Sequence, residues 1–326
     1  MCGIAGIIYR DSAKQRCLSL DLMKLLQPLE SRGPDSCGVG LYGEGMAFDQ
    51  LKMILRTEEQ VVWEDLWDWL LPFASSLEFE PVGDDGHGYR VVLQRQDPDY
   101  FDLRPFRQAL AQNFPQIHLM SVGQQLEIYK EVGPVQGLIH RYGLENFKGS
   151  HGIGHTRMAT ESVVDTYHSH PFTSGFDLSI VHNGQISNYY RLRSVLERRG
   201  MVFETDNDSE AIAHYLNDQF LQEKSLEEAL HGLLKDLDGT YTFLVATEDK
   251  MALVRDKFAA KPAMIYESSD MVAIASEYHC LLNLEGFDST AAIREPDAGE
   301  LNIWSRQEFS LKRAREAREA SEVSRV

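Results

Sequence analysis

Residues 2–9 of the chain read CGIAGIIY, a short run of small and β-branched residues directly after Met1. An apolar run of this length and composition is typical of a buried strand. No basic segment precedes it and no small-residue cleavage site follows it, so we do not interpret it as a signal peptide. We therefore expect a fold whose core contains a strand that begins beside Cys2.

The composition is that of a globular protein with a large negative charge. The chain has 326 residues, enough for one large domain or two ordinary ones, and its formal net charge is -18. This charge repels phosphate backbones, which argues against nucleic acid as a partner. No apolar run is long enough to span a bilayer, so we expect no membrane partner either.

The four cysteines are Cys2, Cys17, Cys37 and Cys280, and no two of them form a CxxC pair. This scatter argues against a zinc ribbon, an iron–sulfur cluster or a secreted disulfide scaffold. We therefore expect free thiols, a cytoplasmic location, and neither a metal nor a cofactor held by this chain.

The strand and helix patterns are grouped rather than strictly alternating, which favours layered sheets over a doubly wound parallel sheet. The character changes over residues 51–148, where a tryptophan-rich helix candidate and a β-α-β-like pattern predict an inserted small α/β segment. The tail over residues 306–326 is rich in Arg, Glu and Ala and predicts an exposed charged helix. The main domain is therefore expected over residues 1–305.

Cys2 can combine a nucleophile and a base in one residue. Removal of Met1, which is usual before a small residue, would give Cys2 a free α-amine with a pKa of roughly 7.7–8.0. Such an amine can replace the histidine of a catalytic triad, and a thiolate suits acyl transfer from an amide. By position alone, an ordinary buried cysteine in a first strand is the more frequent case.

Arg157 and Thr160 lie in the stretch GHTRMATES, residues 154–162. An arginine can hold the α-carboxylate of an amino acid by two parallel hydrogen bonds. Thr160, three residues further on, could add a hydroxyl group. Taken alone, an arginine in a surface salt bridge is the more frequent interpretation of this pattern.

Asn183 and Gly184 lie at the end of a strand-like run in IVHNGQISN, residues 180–188. The side-chain amide of Asn183 and the backbone N–H of Gly184 are two donors that could form an oxyanion hole. Asn-Gly is also the commonest hairpin turn, and this alternative stays open at the level of sequence.

The stretch ETDNDSEAIAHYL, residues 204–216, places several acids at the start of a predicted helix. Acids at such a position usually cap the helix, but one of them could bind the ammonium group of an amino acid. Asp206 and Asp208 are the two candidates. His170, in HSHPF, is a further candidate, although a lone histidine is more often structural.

Five short motifs are weak one by one and specific together. In chain order they are Cys2-Gly3-Ile4, Arg32-Gly33-Pro34-Asp35-Ser36, His155-Thr156-Arg157, His182-Asn183-Gly184 and Asp208-Ser209-Glu210. This series resembles the class II glutamine amidotransferases, the N-terminal-nucleophile (Ntn) family. The resemblance covers residues 1–50 and about 149–280. It implies an α+β fold, the Ntn-hydrolase αββα sandwich of two antiparallel sheets between helix layers.

The resemblance also implies a role for each candidate. Cys2 matches the nucleophile, its α-amine the base, and Asn183 with Gly184 the oxyanion hole. Arg157, with Thr160 nearby, matches the arginine that holds the α-carboxylate of glutamine.

The match to the family's Asp-(Ser/Thr)-Glu pattern selects Asp208 as the ligand of the glutamine α-amine, with Asp206 as the competitor. His170 matches a histidine near the glutamine pocket. Met158 departs from the family, because many relatives have tryptophan or tyrosine there.

The resemblance implies a glutaminase that converts L-glutamine to L-glutamate and ammonia through a cysteine thioester. Several phrases, among them LEIYKEVG and TDNDSEAIAHYL, are similar to stand-alone amidotransferase subunits of glutamate-synthase-like complexes, N-methylglutamate synthase included. No acceptor-binding domain is recognisable after about residue 280, so we expect a partner synthase subunit, which could carry flavin, to receive the ammonia. A freestanding γ-glutamyl amide hydrolase and a non-catalytic scaffold subunit are the alternatives.

Trp63, Trp67 and Trp69 lie in the inserted segment and allow two interpretations. Exposed tryptophans would be plausible anchors for the partner subunit, because tryptophan is enriched among binding hot spots. Buried tryptophans would simply fill the core of a small subdomain.

Overall fold

The computed structural model describes residues 2–10, 16–97, 101–159 and 163–306. The strands in these ranges are β1 (Gly3–Tyr9), β2 (Ser36–Tyr42), β3 (Gln50–Arg56), β4 (Ala74–Pro81), β5 (Gly88–Arg95), β6 (His118–Gly123), β7 (Leu126–Val132), β8 (His151–Arg157), β9 (Ser179–Ile186), β10 (Gly239–Ala246), β11 (Lys250–Arg255), β12 (Met264–Glu267), β13 (Met271–Ala275), β14 (Ala292–Arg294) and β15 (Leu301–Ser305). The α-helices are α1 (Leu18–Leu26), α2 (Trp63–Leu70), α3 (Leu103–Asn113), α4 (Val135–Arg141), α5 (Tyr189–Arg198), α6 (Asp208–Phe220), α7 (Leu226–Asp236) and α8 (Tyr278–Leu281). No helix in the described part of the chain is long and apolar enough to cross a membrane.

Two antiparallel sheets face each other through an apolar layer. One sheet has seven strands in the order β14-β12-β13-β1-β8-β2-β7, and the other has four in the order β15-β11-β10-β9. Ile4 and Ile8 of the first sheet share one buried cluster with Val181 and Leu244 of the second. Helices α1, α4 and α8 cover the outer face of the larger sheet, and α5, α6 and α7 cover that of the smaller one. The expected αββα sandwich is therefore confirmed.

Strand β1 explains why the opening of the sequence is apolar at successive positions. Ala5 and Ile7 pack under the helix layer, whereas Ile4 and Ile8 point into the space between the sheets. Successive side chains of a strand point to opposite faces, so a strand covered on both faces needs apolar residues throughout. The strand is central in its sheet, between β13 and β8.

A third, separate sheet is inserted after β2. Its strand order is β4-β5-β3-β6, and its helices α2 and α3 pack against one face. Met53, Leu66 and Phe106 are among the buried residues of its own core. The inserted α/β segment is thus a small layered unit beside the sandwich.

The expected limits of the insertion, residues 51–148, are corrected at the C-terminal side. The last strand of the separate sheet ends at Gly123, and Leu126–Val132 pairs with β2 in the seven-stranded sheet. Asp177 accepts hydrogen bonds from the N–H groups of Gln124 and Gln125 (2.7 and 2.8 Å), where the chain passes from one sheet to the other. A strand pattern in the sequence does not identify the sheet to which the strand belongs.

The predicted charged tail over 306–326 lies outside the described residues except for Arg306.

Trp63 is buried, Trp67 stacks on Phe79 with ring centroids 3.9 Å apart, and Trp69 also packs against the inserted core. Trp63 is thus part of the core of the inserted unit and Trp67 and Trp69 are partly buried against it, which favours the interpretation that these tryptophans fill the core of a small subdomain.

Candidate active site

Cys2 and Arg157 are brought together by the pairing of two strands. The register of β1 with β8 pairs Gly3 with Thr156, so Cys2 lies opposite Arg157, where β1 begins and β8 ends. The backbone N–H of Met158 donates to the Cys2 thiol at 3.5 Å, and Cys2 is partly exposed. The thiol is thus fixed beside the arginine and remains accessible.

Asn183 and Gly184 approach the same point from the smaller sheet. The side-chain amide of Asn183 donates to the backbone carbonyl of Cys2 at 3.1 Å. Asn183 and Gly184 pair with Thr242 and Tyr241 inside the β9–β10 ladder, so the alternative of a hairpin turn is wrong. Gly184 has φ of +148°, and a Cβ there would lie 2.1 Å from the carbonyl oxygen of Thr240, so only glycine fits.

The loop that contains Arg32 braces this site, although the sequence suggested no role for it. The Nε atom of Arg32 donates to the carbonyl of Cys2 at 3.3 Å, and the guanidinium forms an ion pair with Glu277. A Cβ at Gly33 would lie 2.5 Å from the carbonyl oxygen of Thr156, so the loop lies directly on β8. The carbonyl of Cys2 is therefore held by donors from two sides.

Arg157 is buried, with 4% of the residue exposed. Its Nη1 donates to the carbonyl of Val163 at 3.0 Å. Burial lowers the pKa of Arg157, and the nearby Cys2 and Asp165 counteract this effect only in part. A desolvated guanidinium gains from an anionic ligand, which suits a carboxylate. Thr160 lies outside the described residues.

The two candidate aspartates have different surroundings. The side chain of Asp206 is 94% exposed and forms an ion pair with Arg193 at 2.8 Å. The side chain of Asp208 is 24% exposed and accepts a hydrogen bond from the N–H of Ile186 at 2.8 Å. Because Asn207 caps helix α6, Asp208 is not needed as the cap. Asp208 is thus the carboxylate that is fixed on the strand carrying Asn183.

His182 links Asp208 to the strand that carries Asn183, and its own position in the sequence gave no signal of this. Its Nδ1 lies 3.5 Å from Asp208 Oδ1 and 2.9 Å from Ser209 Oγ. Burial acts to raise the pKa of Asp208, but His182 and the hydrogen bonds from Ile186 and Ser209 outweigh it and hold the pKa below its usual range. Asp208 is therefore an anion at neutral pH.

His170 is a buried support behind β9. Its Nδ1 accepts the backbone N–H of His182 at 3.0 Å, which makes its Nε2 the donor toward Ser209 Oγ at 3.2 Å. The His155 and His170 rings stack with centroids 4.0 Å apart. Burial lowers the pKa of His155 to about 3 and that of His170 well below its usual value, so both rings are neutral.

Within the described ranges, no group of three or more His, Cys, Asp or Glu side chains is arranged to hold a metal ion. The groups near Cys2 are instead its own thiol, the side-chain amide of Asn183 and the guanidinium of Arg157, and the carboxylate of Asp208 is held further along the same strand, at Ile186. These groups can attack an acyl carbon, stabilise an oxyanion and bind both ends of an α-amino acid.

Known proteins are similar to this chain in sequence and in fold. Residues 155–283 match the family model described as a glutamine amidotransferase domain. The chain is 38% identical to the glutamine amidotransferase-like protein GlxB of Rhizobium meliloti (strain 1021), over 94% of this chain and 99% of that protein. It is 34% identical to the amidophosphoribosyltransferase of Methanocaldococcus jannaschii, over 51% of this chain and 36% of that protein.

Among solved structures, the chain is similar to the glutamine phosphoribosylpyrophosphate amidotransferase of B. subtilis. The TM-score is 0.59 at 20% sequence identity, and the match covers 93% of this chain and 47% of that chain. A likeness at this identity supports the fold of the sandwich, and it does not extend to the acceptor chemistry of that enzyme.

Proposed function

This chain belongs to the class II glutamine amidotransferases, and we propose that it hydrolyses L-glutamine to L-glutamate and ammonia through a thioester on Cys2. The main support is the contact between the two sheets at Cys2. There, a partly exposed thiol, the Asn183 amide and the Arg157 guanidinium lie together where β1 begins. These groups supply the nucleophile, an oxyanion donor and a carboxylate ligand that amide hydrolysis of glutamine requires, and the α-amine of Cys2 supplies the base.

The first half of the reaction forms the thioester. After removal of Met1, the α-amine of Cys2 takes the thiol proton, and the thiolate attacks the side-chain amide carbon of glutamine. The resulting oxyanion accepts hydrogen bonds from Asn183 and from the Gly184 N–H. One hydrogen of the Asn183 amide is used by the Cys2 carbonyl, and the second is left for the oxyanion.

The second half releases the products. The α-ammonium of Cys2 gives its proton to the leaving nitrogen, the C–N bond breaks and ammonia departs. The α-amine then takes a proton from water as the water oxygen attacks the thioester carbon. Collapse of this second intermediate yields glutamate and returns the proton to the Cys2 sulfur.

The two ends of glutamine are recognised by opposite charges in this proposal. Arg157 binds the α-carboxylate, with Thr160 as an additional hydroxyl donor, and Asp208 binds the α-ammonium. The contacts between His170, Ser209 and His182 support the β9 strand that carries Asn183. His170 thus acts as a positioning residue.

We further propose that the ammonia passes to a partner synthase subunit of the glutamate-synthase-like type, with N-methylglutamate synthase as the first candidate. The support is the resemblance of the sequence to such subunits.

The chemical proposal is tested at Cys2. Cys2→Ala should lower the glutaminase rate by about 10³ or more while the fold is retained, because the nucleophile is lost. Cys17→Ala is the matched control, since Cys17 is also partly exposed but its thiol contacts the carbonyl of Glu145. Intact-mass measurement should show that the active protein lacks Met1. Equal losses in both variants, or full activity with Met1 retained, would reject the mechanism.

The partner proposal is tested with the proteins that co-purify with the chain. Glutamine hydrolysis should be slow in the isolated chain and faster in the assembled complex, because uncoupled hydrolysis wastes glutamine. A chain that is monomeric, fully active and indifferent to every partner favours the freestanding γ-glutamyl amide hydrolase. An assembled complex in which a thiol-reactive glutamine analogue does not label Cys2 favours the scaffold subunit.

A further inference from the structure

A cleft lies between the inserted sheet and the sandwich. It is partly open to solvent, and the empty space within it is about 470 Å³ when the open solvent at its mouth is included. Arg107 of α3 and His118 of β6 line it from the inserted sheet, Lys130 lines it from β7, and Glu204 lines it from the segment before α6. None of the side chains assigned above to glutamine hydrolysis is among its lining residues.

The cleft is separated from the Cys2 site by the segment that carries His170. Gly38 of β2 pairs with Lys130 on one side and with His155 on the other. A Cβ at Gly38 would lie 2.1 Å from the carbonyl oxygen of His170, so this segment covers the strand between them. The cleft therefore belongs to the β7 edge of the sheet, two strands from β8.

Arg107 has donors that lack acceptors. Its Nη1 forms an ion pair with Glu204 at 3.3 Å, whereas Nε and Nη2 are buried without a hydrogen-bond partner. These two atoms form one edge of the guanidinium, which matches the two oxygens of a carboxylate. Burial lowers the pKa of Arg107 despite the attraction of Glu204 and Glu210. A buried cation in this state is stabilised by an added anion.

Two more buried donors line the cleft, Lys130 and Tyr167. Lys130 is buried, and its Nζ has the carbonyl of Tyr167 as a partner at 3.4 Å. Burial lowers the pKa of Lys130 to about 8, although Glu204 and Glu210 act in the opposite direction. The buried hydroxyl of Tyr167 lies close to the backbone of Glu58 and can donate a hydrogen bond to a ligand.

The acids of the cleft are already engaged. Glu204 binds His118 as well as Arg107, with its Oε2 3.3 Å from His118 Nδ1. Glu210 accepts the backbone N–H groups of Glu204 and Thr205 at 2.7 and 2.8 Å. The cleft therefore has more unsatisfied donors than acceptors, which is the property of a site for an anionic ligand.

We propose that this cleft binds a small organic acid, with its carboxylate on the Nε–Nη2 edge of Arg107 and with Lys130 and Tyr167 as further donors. A monocarboxylate fits better than a phosphate dianion, because Glu204 and Glu210 repel the second charge. Because the Nε–Nη2 edge is buried, binding of a ligand on this edge requires the guanidinium to turn toward the cleft. Such a ligand joins the inserted sheet to the segment that leads to α6.

The test uses the full-length protein and n-butyrate as the probe, with binding followed by saturation-transfer NMR. Butyrate should bind saturably, and Arg107→Gln should weaken binding by about tenfold to a hundredfold, because a charged hydrogen-bonding group is lost. Arg107→Lys, which keeps the charge without the fork, should also weaken it. Arg104→Gln is the matched control, since Arg104 is on the same helix but half exposed.

Arg157→Lys separates this site from the glutamine site, because Arg157 is the other buried arginine proposed to bind a carboxylate. Butyrate binding that survives Arg157→Lys and fails in both Arg107 variants supports the proposal, whatever the fate of the glutaminase mechanism. No saturable binding, or binding that depends on Arg157 and not on Arg107, would overturn it. Inorganic phosphate binding with the same Arg107 dependence, in place of butyrate, would overturn the carboxylate assignment.

Discussion

Replacing Asp208 by Asn should remove the recognition of the glutamine α-amine and leave the fold in place. The carboxylate is fixed by the N–H of Ile186 at 2.8 Å and lies 3.5 Å from the His182 ring. An Asn side chain has the same shape and can still accept the hydrogen bond from Ile186. The substitution therefore removes the negative charge with little change in packing.

The magnitude follows from the kind of contact that is lost. A hydrogen bond to a charged group contributes about 1.5–3 kcal/mol, which corresponds to a decrease of about 10- to 150-fold in kcat/KM. Asp206→Asn is the matched control, because it removes an exposed ion pair with Arg193 that is worth about 0–1 kcal/mol. Asp206→Asn should therefore leave kcat/KM nearly unchanged.

The assay compares L-glutamine with glutaramate, the analogue that lacks the α-amine. The wild-type protein should strongly prefer glutamine, and Asp208→Asn should lose most of this preference because glutaramate makes no contact with the aspartate. Urea unfolding of each variant checks the fold. The assignment of the amine site to Asp208 is refuted if Asp208→Asn keeps the preference while Asp206→Asn loses it. The amine site would then be two residues earlier in the sequence.

Three further predictions concern other parts of the site and the core. Asn183→Ala should lower kcat by about 10²–10³ with a smaller effect on KM, because its donor serves the transition state; wild-type turnover would exclude it. Arg157→Lys should raise KM for glutamine strongly, since a point charge cannot replace the fork; an unchanged KM contradicts the carboxylate assignment. Burial lowers the pKa of His151 to about 3, below the unfolded value of about 6.5. Unfolded chains therefore bind a proton on His151 that the folded state does not bind, and this residue alone lowers the free energy of unfolding by about 1 kcal/mol between pH 7.5 and 5.5. His151→Gln should show a smaller loss in urea titrations, and an identical loss would contradict this assignment.

The central strand of the sandwich could be predicted from the sequence because its residues are apolar throughout, whereas the αββα arrangement itself was implied by the resemblance to the family. Residues 2–9 lack polar side chains, and the structure buries β1 on both faces. The five short motifs indicated the family, because all of them occur in one sequence and in the family's order. Sheet membership was harder to predict, because the pattern of Leu126–Val132 fits either sheet equally well.

The catalytic candidates could be named from the sequence, but the contacts that hold them could not. His182 lies next to Asn183 in the chain, and its Nδ1 faces Ser209 at 2.9 Å across the gap between β9 and α6. That contact depends on how α6 packs on the smaller sheet. The same holds for Arg32, whose donor reaches the carbonyl of Cys2 from a loop that is distant in sequence. Residue types predict chemistry, whereas packing decides which residues support it.

The inserted sheet is connected through Glu204 to the segment that precedes the proposed amine site. Arg107 and His118 of this sheet both contact Glu204, which lies four residues before Asp208. On its inner side, the same segment is held by Glu210 of α6 through the N–H of Glu204. A shift of the inserted sheet therefore moves the segment that leads into Asp208. The insertion is joined to the site by charged contacts, and ligands or partners that displace it would act on glutamine binding through this segment.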